Sequence, residues 1–427
     1  MTAVTAEPAA VAPVVTRATP DERRATIIGY SLLAMAVVVL WVFALGVSAE
    51  ATSTFNLSLP TDYFKDLSWT FNTRTVNLIV AALIAVLGVL CLRRRWLERT
   101  NAMLGAGLGL LVFAFLAWAA ADGSFSLVGM LRSTVIASIV ITLGALCGLM
   151  CERAGVVNIG IEGQLLSGAF VAVILSSAYG TWAGVIGAML VGALLGLLLV
   201  WLAIRFNVDQ IIAGVVINIL ALGITSFLAS RVLSEAQDLN APARVPSWRI
   251  PILADIPVLG PMFFDHVFFV YVTLILAFGL QYALFRTRWG LRVRSVGEHP
   301  KAADTLGINV FRIRYRNVVL GGLIAGFGGA FLALSQVARF EENMTGGIGF
   351  IGLAALIFGR WMPLGCLAAG LVFGFSSSLA QKVAILGTGI PSEFMLMLPY
   401  VATVVVVAGV VGRSRPPAAD GQPYLKN

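Results

Sequence analysis

The sequence predicts an all-α, polytopic membrane protein with about twelve transmembrane segments. Three observations carry this. Hydrophobic residues make up 59% of the 427 positions and charged residues only 12%, more apolar surface than a soluble domain can hide. The apolar residues fall in runs of about 20, the length of a membrane-crossing helix, rather than in alternating ten-residue strands. Lys and Arg alternate between the two sides of those runs. In the bilayer core every backbone polar group must be paired internally, so such runs are helices.

Taken in order, residues 1–25 read as a disordered cytoplasmic tail, rich in Ala, Pro, Thr and Val. The first span lies too far along the chain for a cleavable signal peptide. Apolar segments follow at 26–48, 75–92, 101–121, 130–150, 156–178, 182–204, 210–230, 267–285, 317–337, 347–360, 364–381 and 395–412. The segments at 347–360 and 364–381 are short enough to be half-helices or a hairpin that does not fully cross. Residues 413–427 read as a disordered cytoplasmic tail.

With the N-terminus inside, all but eight of the 29 Lys and Arg fall on the cytoplasmic side; the eight are Lys65, Arg74, Arg132, Arg231, Arg244, Arg249, Arg339 and Lys382. The positive-inside rule then places both termini in the cytoplasm, with the lipid bilayer as the main partner. The net charge of +8 is absorbed by this topology. No separate basic domain exists, so no nucleic-acid partner is expected. The four cysteines (Cys91, Cys147, Cys151, Cys366) form no CxxC pair and read as small core residues. Two histidines, His266 and His299, are too few for a histidine metal site. There is no GxxxxGK[ST], HExxH or GxSxG pattern, so no catalytic residue is assigned.

Glycines recur four apart within spans: Gly105/Gly109, Gly144/Gly148, Gly192/Gly196, Gly322/Gly326 and Gly370/Gly374. Small residues at that spacing let helices approach closely. Gly347–Gly352 matches GxGxxG, but no predicted strand precedes it, so a helix break is the better reading.

Polar residues inside apolar runs are expensive and mark cavities or partners. Glu152 to Gln164 (ERAGVVNIGIEGQ) sets Asn158, Glu162 and Gln164 beside three glycines, where broken helices expose backbone groups to a polar site. One reading is a substrate pathway lined by these three. The other is that Glu152 pairs with Arg153 while Glu162 braces a helix. A second glycine-broken place, Gln336 to Gly352, holds Gln336, Glu341, Glu342, Asn343 and Phe350. The pair of breaks, one in each half, points to an inverted internal repeat. Asn218, mid-span, is a further pathway candidate or an interhelical hydrogen bond. The long outside loops near 49–74 and 231–266 are either docking surfaces for an external binding protein or plain connections.

The most distinctive stretch is Arg286 to Arg316, RTRWGLRVRSVGEHPKAADTLGINVFRIRYR, with eight Lys or Arg against Glu298 and Asp304. Its middle predicts a short surface helix: Pro300 suits the first helical position, Lys301, Ala302, Ala303, Asp304, Thr305 and Leu306 continue it, and Gly307 suits the left-handed position beyond its end.

Three segments, Glu152–Gln164, Gly290–Ile308 and Phe340–Ile351, resemble permease subunits of ABC importers in the branched-chain amino acid, ribose and nucleoside group. The third most resembles the nucleoside and simple-sugar permeases. The resemblance covers roughly residues 130–412. It implies an ABC importer permease fold with broken helices for a core at 126–412; the sequence departs from a minimal permease in the tail and the additional transmembrane spans at 26–125. It implies a nucleoside as cargo, with a ribose-like sugar as the alternative; apart from the resemblance, an ion-coupled secondary transporter is a rival reading, for which Glu162 is the one fair mid-span carboxylate. It implies a second, homologous permease, a cytoplasmic ABC ATPase and an extracytoplasmic substrate-binding lipoprotein as partners. This chain would bind no cofactor; ATP and Mg would be used by the ATPase. Gly297, Glu298 and His299 through Gly307 would form the coupling helix that contacts it.

Overall fold

The computed structural model describes residues 19–59, 67–93, 97–386, 394, 397 and 415–425. Ten described helices are long and apolar enough to cross a membrane, and the chain is a multi-pass, all-α membrane protein. The segment at 395–412 lies outside the described residues, apart from residue 397. The chain divides into two compact units, one of residues 1–56 and 68–125, the other of 57–67 and 126–427.

Among its described residues the first unit has three helices long and apolar enough to cross a membrane. Helix α1 (Pro20–Val38) begins inside the stretch expected to be disordered, because Thr19 and Glu22 close a reciprocal capping box and Pro20 occupies the first turn. It continues as a π-turn over Val39–Ala44. Strands β1 (Thr52–Asn56) and β2 (Ser68–Asn72) form an antiparallel ribbon, with Phe55 opposite Trp69. Helices α2 (Thr73–Leu92) and α3 (Thr100–Ala119) follow, and β3 (Gly123–Ser126) completes the sheet in the order β2-β1-β3. Leu32, Val80, Ile84 and Ala114 share the core. Phe55 anchors the sheet, with the rings of Phe71, Phe113 and Phe125 at 5.1, 5.7 and 5.8 Å.

The second unit is built around α4 (Leu127–Glu152), which is almost wholly buried. The elements that follow are α5 (Ile161–Tyr179), α6 (Thr181–Arg205), α7 (Gln210–Leu228), β4 (Ser247–Arg249) paired antiparallel with β5 (Asp265–Val267), and α8 (Phe268–Arg286). The basic island folds as α9 (Arg288–Glu298), α10 (Pro300–Thr305) and the start of α11 (Val310–Phe331). Last come α12 (Ile348–Phe358) and α13 (Pro363–Leu386). Helix α4 packs on α11, α12 and α13, and α5 packs on α6, α7 and α11.

At 11 residues, α12 is about 16 Å long and too short to cross alone. The 24 residues of α13 are enough. The short segment at 347–360 thus has the length of a half-helix, while its neighbour is long and apolar enough to span.

Glycine spacing sets the closest helix approach. A Cβ on Gly326 would overlap the Ala188 carbonyl, and one on Gly322 the Gly192 carbonyl, so α6 and α11 touch backbone to backbone. On α13, a Cβ on Gly370 would overlap the Thr142 hydroxyl and one on Gly374 the backbone of Ser138 and Thr134 of α4. Gly105 and Gly109 do not follow the pattern: nothing lies within 4 Å of a Cβ at either, so their spacing serves no contact among the described residues.

The C-terminal stretch differs from its expected disorder. Residues 415–425 form a turn-rich segment bonded to α9, with the Ala419 N–H donating to the Gly297 carbonyl at 2.9 Å and the Ala418 N–H to Glu298 Oε2 at 3.1 Å. Paired backbone groups and a buried Tyr424 hold what composition alone left loose.

Gly326→Val is expected to lower stability by about 1–3 kcal/mol through overpacking, read as an earlier thermal unfolding in detergent. Gly105→Ala should leave that transition unmoved.

Candidate functional site: two broken helices and a polar cavity

Helix α4 stops at Glu152, and the chain turns through Gly155, whose φ is +80°, before α5 starts at Ile161. Helix α12 starts after two left-handed glycines, Gly346 (φ +49°) and Gly347 (φ +88°). The two breaks meet. Glu162 Oε1 accepts the Gly347 N–H at 2.7 Å, and Oε2 accepts the Gly349 N–H at 2.6 Å. A carboxylate on the first N–H groups of a helix is the arrangement the helix dipole favours. Gly349 is needed, because a Cβ there would lie 2.7 Å from the Glu162 backbone.

Asn218 of α7 fixes the other side of this joint. Its Oδ1 accepts the Gly163 N–H at 2.8 Å and its Nδ2 donates to the Ile159 carbonyl at 2.9 Å. Asn158 and Gln164 are fully buried and bonded to each other, Asn158 Nδ2 donating to Gln164 Oε1 at 3.2 Å beside Cys147 and Cys151. Asn158 Oδ1 and Gln164 Nε2 have no partner. Asn158 and Gln164 thus share one buried hydrogen-bond set, and Glu162 belongs to another at the start of α12; all three side chains are buried. All four cysteines are free and buried.

The second break disperses its candidates. Glu341 pairs with Arg339 at 2.5 Å. Glu342, Asn343 and Phe350 are exposed. Phe340 stacks edge-on to Phe170, ring centroids 5.0 Å apart, and its N–H donates to Asn240 Oδ1 at 2.7 Å.

Of the pathway candidates, Gln336 lines a polar cavity formed by described residues. This cavity, of about 390 Å³, is lined by Arg132 and Ser133 of α4, His266 of β5, Ser335 and Gln336, and Gln381 of α13. Ser335 and Gln336 are aimed into it by a π-helical continuation of α11 over Leu332–Val337, a distortion that recurs at functional sites. Arg132 is held by the Asp265 carbonyl at 3.0 Å and the Asp265 carboxylate at 3.9 Å. Burial, with Arg132 nearby, pushes the His266 pKa down, so its imidazole is neutral at pH 7 and lies 2.8 Å from the Met262 carbonyl. The volume suits a small hydroxylated molecule. Sequence reasoning missed Arg132, Ser133, Ser335 and Gln381; a charge five residues inside an otherwise apolar span was the available signal. A larger cleft of about 620 Å³ is walled by Trp182, Trp248, Phe268, Ile275 and Leu323 with other apolar side chains, and it offers such cargo almost nothing polar.

At the far end of α4 the expected Glu152–Arg153 pair is absent. Both residues turn to Trp361: its Nε1 donates to Glu152 Oε2 at 2.5 Å, and its carbonyl accepts from Arg153 Nε and Nη2 at 2.9 and 2.6 Å. Adjacent charges on one helix end diverge, and each finds a buried partner across the packing. Arg153 also sits over the Phe285 ring at 5.4 Å, and burial lowers its pKa.

Next to it, α9 and α10 form the predicted short-helix surface, with Pro300 at the first helical position and Gly307 at φ +78° beyond the end. Glu298, His299, Lys301, Ala302, Leu306 and Gly307 are exposed, Gly297 and Ala303 are buried, and Pro300 and Asp304 are half-buried. Asp420 of the C-terminal segment lies against Glu152 and near Arg314, and burial, foremost, pushes its carboxyl up to about 6.

Broken helices that meet at a buried carboxylate, a polar cavity at one end and exposed basic helices at the other define a helical membrane permease. Residues 129–407 match the family described as branched-chain amino acid transport system / permease component, and the chain belongs to that family. It is 43% identical over 304 residues to the guanosine ABC transporter permease protein NupQ of Bacillus subtilis (strain 168), covering 69% of this chain and 95% of that one. It is 39% identical over 295 residues to the nucleoside ABC transporter permease protein NupC of Lactococcus lactis subsp. cremoris (strain MG1363), covering 66% and 91%. Over 309 residues it is 31% identical to the putative glucose ABC transporter permease protein TsgC13 of Haloferax volcanii, covering 67% and 92%. No solved structure matches the chain.

Removing the Glu162 carboxylate orphans two N–H groups. Charge-assisted hydrogen bonds are worth about 1.5–3 kcal/mol each, so Glu162→Ala is expected to melt well below the wild type, with Glu162→Gln between the two. Docking of residues 415–425 is expected to depend on pH through Asp420, which faces Glu152 and Arg314. Its pKa is raised on docking, so the contribution is fully present below the ordinary carboxylate range and is lost as pH rises through about 6. Between pH 7 and pH 5 docking should tighten by about tenfold. Slower protease cleavage of the segment at pH 5, flattened by Asp420→Asn, would report it.

Proposed function

We propose that the chain is the membrane permease subunit of an ATP-driven ABC importer that moves a nucleoside across the cytoplasmic membrane by alternating access. One observation carries the reading: the matched core that aligns with two nucleoside permeases at 43% and 39% identity also holds the 390 Å³ polar cavity. The ribose hydroxyls and base of a nucleoside offer donors and acceptors that suit Arg132, Ser133, Gln336 and Gln381.

Access to the cytoplasm passes the joint of the two broken helices. Asn158 Oδ1 and Gln164 Nε2, buried without partners, are the groups that cargo or water would satisfy when the packed helices part beside that joint, which itself stays closed. Ion coupling has little support. Of the described carboxylates, Glu162 is the best placed inside a span, and it is already committed to the α12 N-terminus.

The chain itself works without catalysis and binds no cofactor. ATP and Mg belong to a cytoplasmic ATPase that meets Gly297–Gly307. A second, homologous permease completes the pathway, and an extracytoplasmic binding lipoprotein delivers the cargo. Both termini lie in the cytoplasm.

Uptake of labelled guanosine, uridine and ribose, in cells with and without the gene and with ATP depletion, tests this. ATP-dependent nucleoside uptake should disappear on deletion and fall severalfold in Arg132→Ala. Loss of ribose uptake alone would move the cargo to sugars, as the glucose-named relative would favour. Uptake that survives ATP depletion would overturn the ABC mechanism.

A further inference from the structure

The segment Arg415–Leu425 lies away from the polar cavity, yet it contacts four different helices. Its Ala418 and Ala419 N–H groups donate to Glu298 and Gly297 at the end of α9. Its Gln422 carbonyl accepts from Arg314 Nη1 of α11 at 3.0 Å. Its Tyr424 ring lies 5.4 Å from Phe311 and shares an apolar cluster with Val296, Ala303 and Val310, reaching α10. Its Asp420 lies against Glu152 at the end of α4. The end of α9 is clasped between α4 and this strap: a Cβ on Gly297 would overlap the Arg153 carbonyl and touch Pro417 at 3.5 Å.

Between the strap and the α9–α10 turn lies a cleft of about 410 Å³, with Glu298 to Lys301 on one wall and Pro423 to Leu425 on the other. Leu425 is 64% exposed, and on α10's side Leu306 is 80% exposed. Leu425, across the cleft from a carboxylate, an imidazole and a lysine, gives it a mixed surface, and Leu306 adds a bare leucine beyond its rim. Such a surface fits a folded protein offering apolar side chains and polar acceptors; a lipid headgroup would meet the Glu298 carboxylate.

We propose that residues 415–425 form the second wall of the docking site for the cytoplasmic ATPase, a proposal that rests on the permease reading above. A partner that engages the exposed side chains of α10 meets Leu425 across the same cleft. Because the strap is bonded to α4 and α11 as well as to α9, movement of the docked partner is delivered to the buried core through both walls. Composition alone gave no hint of this, since the segment is short, Pro-rich and polar.

The test uses the complete transporter in nanodiscs, with the ATPase that copurifies with the wild-type chain. Leu425→Glu keeps every strap hydrogen bond and alters only the exposed wall. A second variant ends at Ser414. Leu425→Glu is expected to weaken ATPase binding by about fivefold or more, the loss typical of an interface anchor, with thermal unfolding of the permease unchanged. The truncation is expected to abolish cargo-stimulated ATP hydrolysis. Wild-type ATPase affinity in both variants would overturn the proposal, and so would faster hydrolysis on truncation, which would make the strap an inhibitor. Failure of the wild-type chain to retain any ATPase would instead overturn the permease reading beneath it.

Discussion

The arrangement depends on one carboxylate. Glu162 lies buried in the first turn of α5 and offers both oxygens to the N–H groups of Gly347 and Gly349. A bare charge at that depth costs several kcal/mol. Two charge-assisted bonds at the positive end of a helix offset that cost and make the contact expensive to break. The half-helix α12 is thereby tied to α5, and Asn218 ties α5 in turn to α7. The backbone groups left open by the two breaks find partners here, as a lipid-embedded chain requires.

Around this fixed joint the two ends of α4 do different work. Arg132, near its start, reaches the polar cavity, while Glu152 and Arg153, at its end, are locked to Trp361. Twenty residues of helix separate them by about 30 Å. The near-complete burial of α4 and its glycine-tight contacts with α13 make it a stiff element able to relate an event at one end to the other. Rocking of packed helices about a fixed centre is how such folds alternate access.

Much of this was legible in the sequence because membrane burial leaves a strong one-dimensional signal. Apolar runs gave the helices, and the charge break at Arg286–Arg316 gave the exposed α9–α10 surface, down to Pro300 and Gly307. The glycine-broken places at Asn158–Gln164 and Gly346–Gly347 were visible for the same reason: polar residues and glycines are costly in a span. What was hidden depends on tertiary partners. Glu152 and Arg153 look like a pair until Trp361 arrives from more than 200 residues away. Glu162 reads either as a pathway residue or as a helix brace, and nothing local names the α12 N-terminus, 185 residues away, as its partner. Arg132, Ser133 and Gln381 come from different helices, and only packing brings them to one cavity. The order of residues 415–425 comes wholly from α4, α9, α10 and α11, none of which its own composition reveals.

The most direct test of this account is backbone amide exchange across residues 345–351, compared between the nucleotide-free transporter and one trapped with ATP. If the Glu162 joint is the fixed centre, the Gly347 and Gly349 amides stay equally protected in both states, while peptides covering 288–307 and 332–338 change. Rapid exchange of Gly347 and Gly349 in either state would contradict it, because the joint would then open during the cycle and the motion would need another pivot.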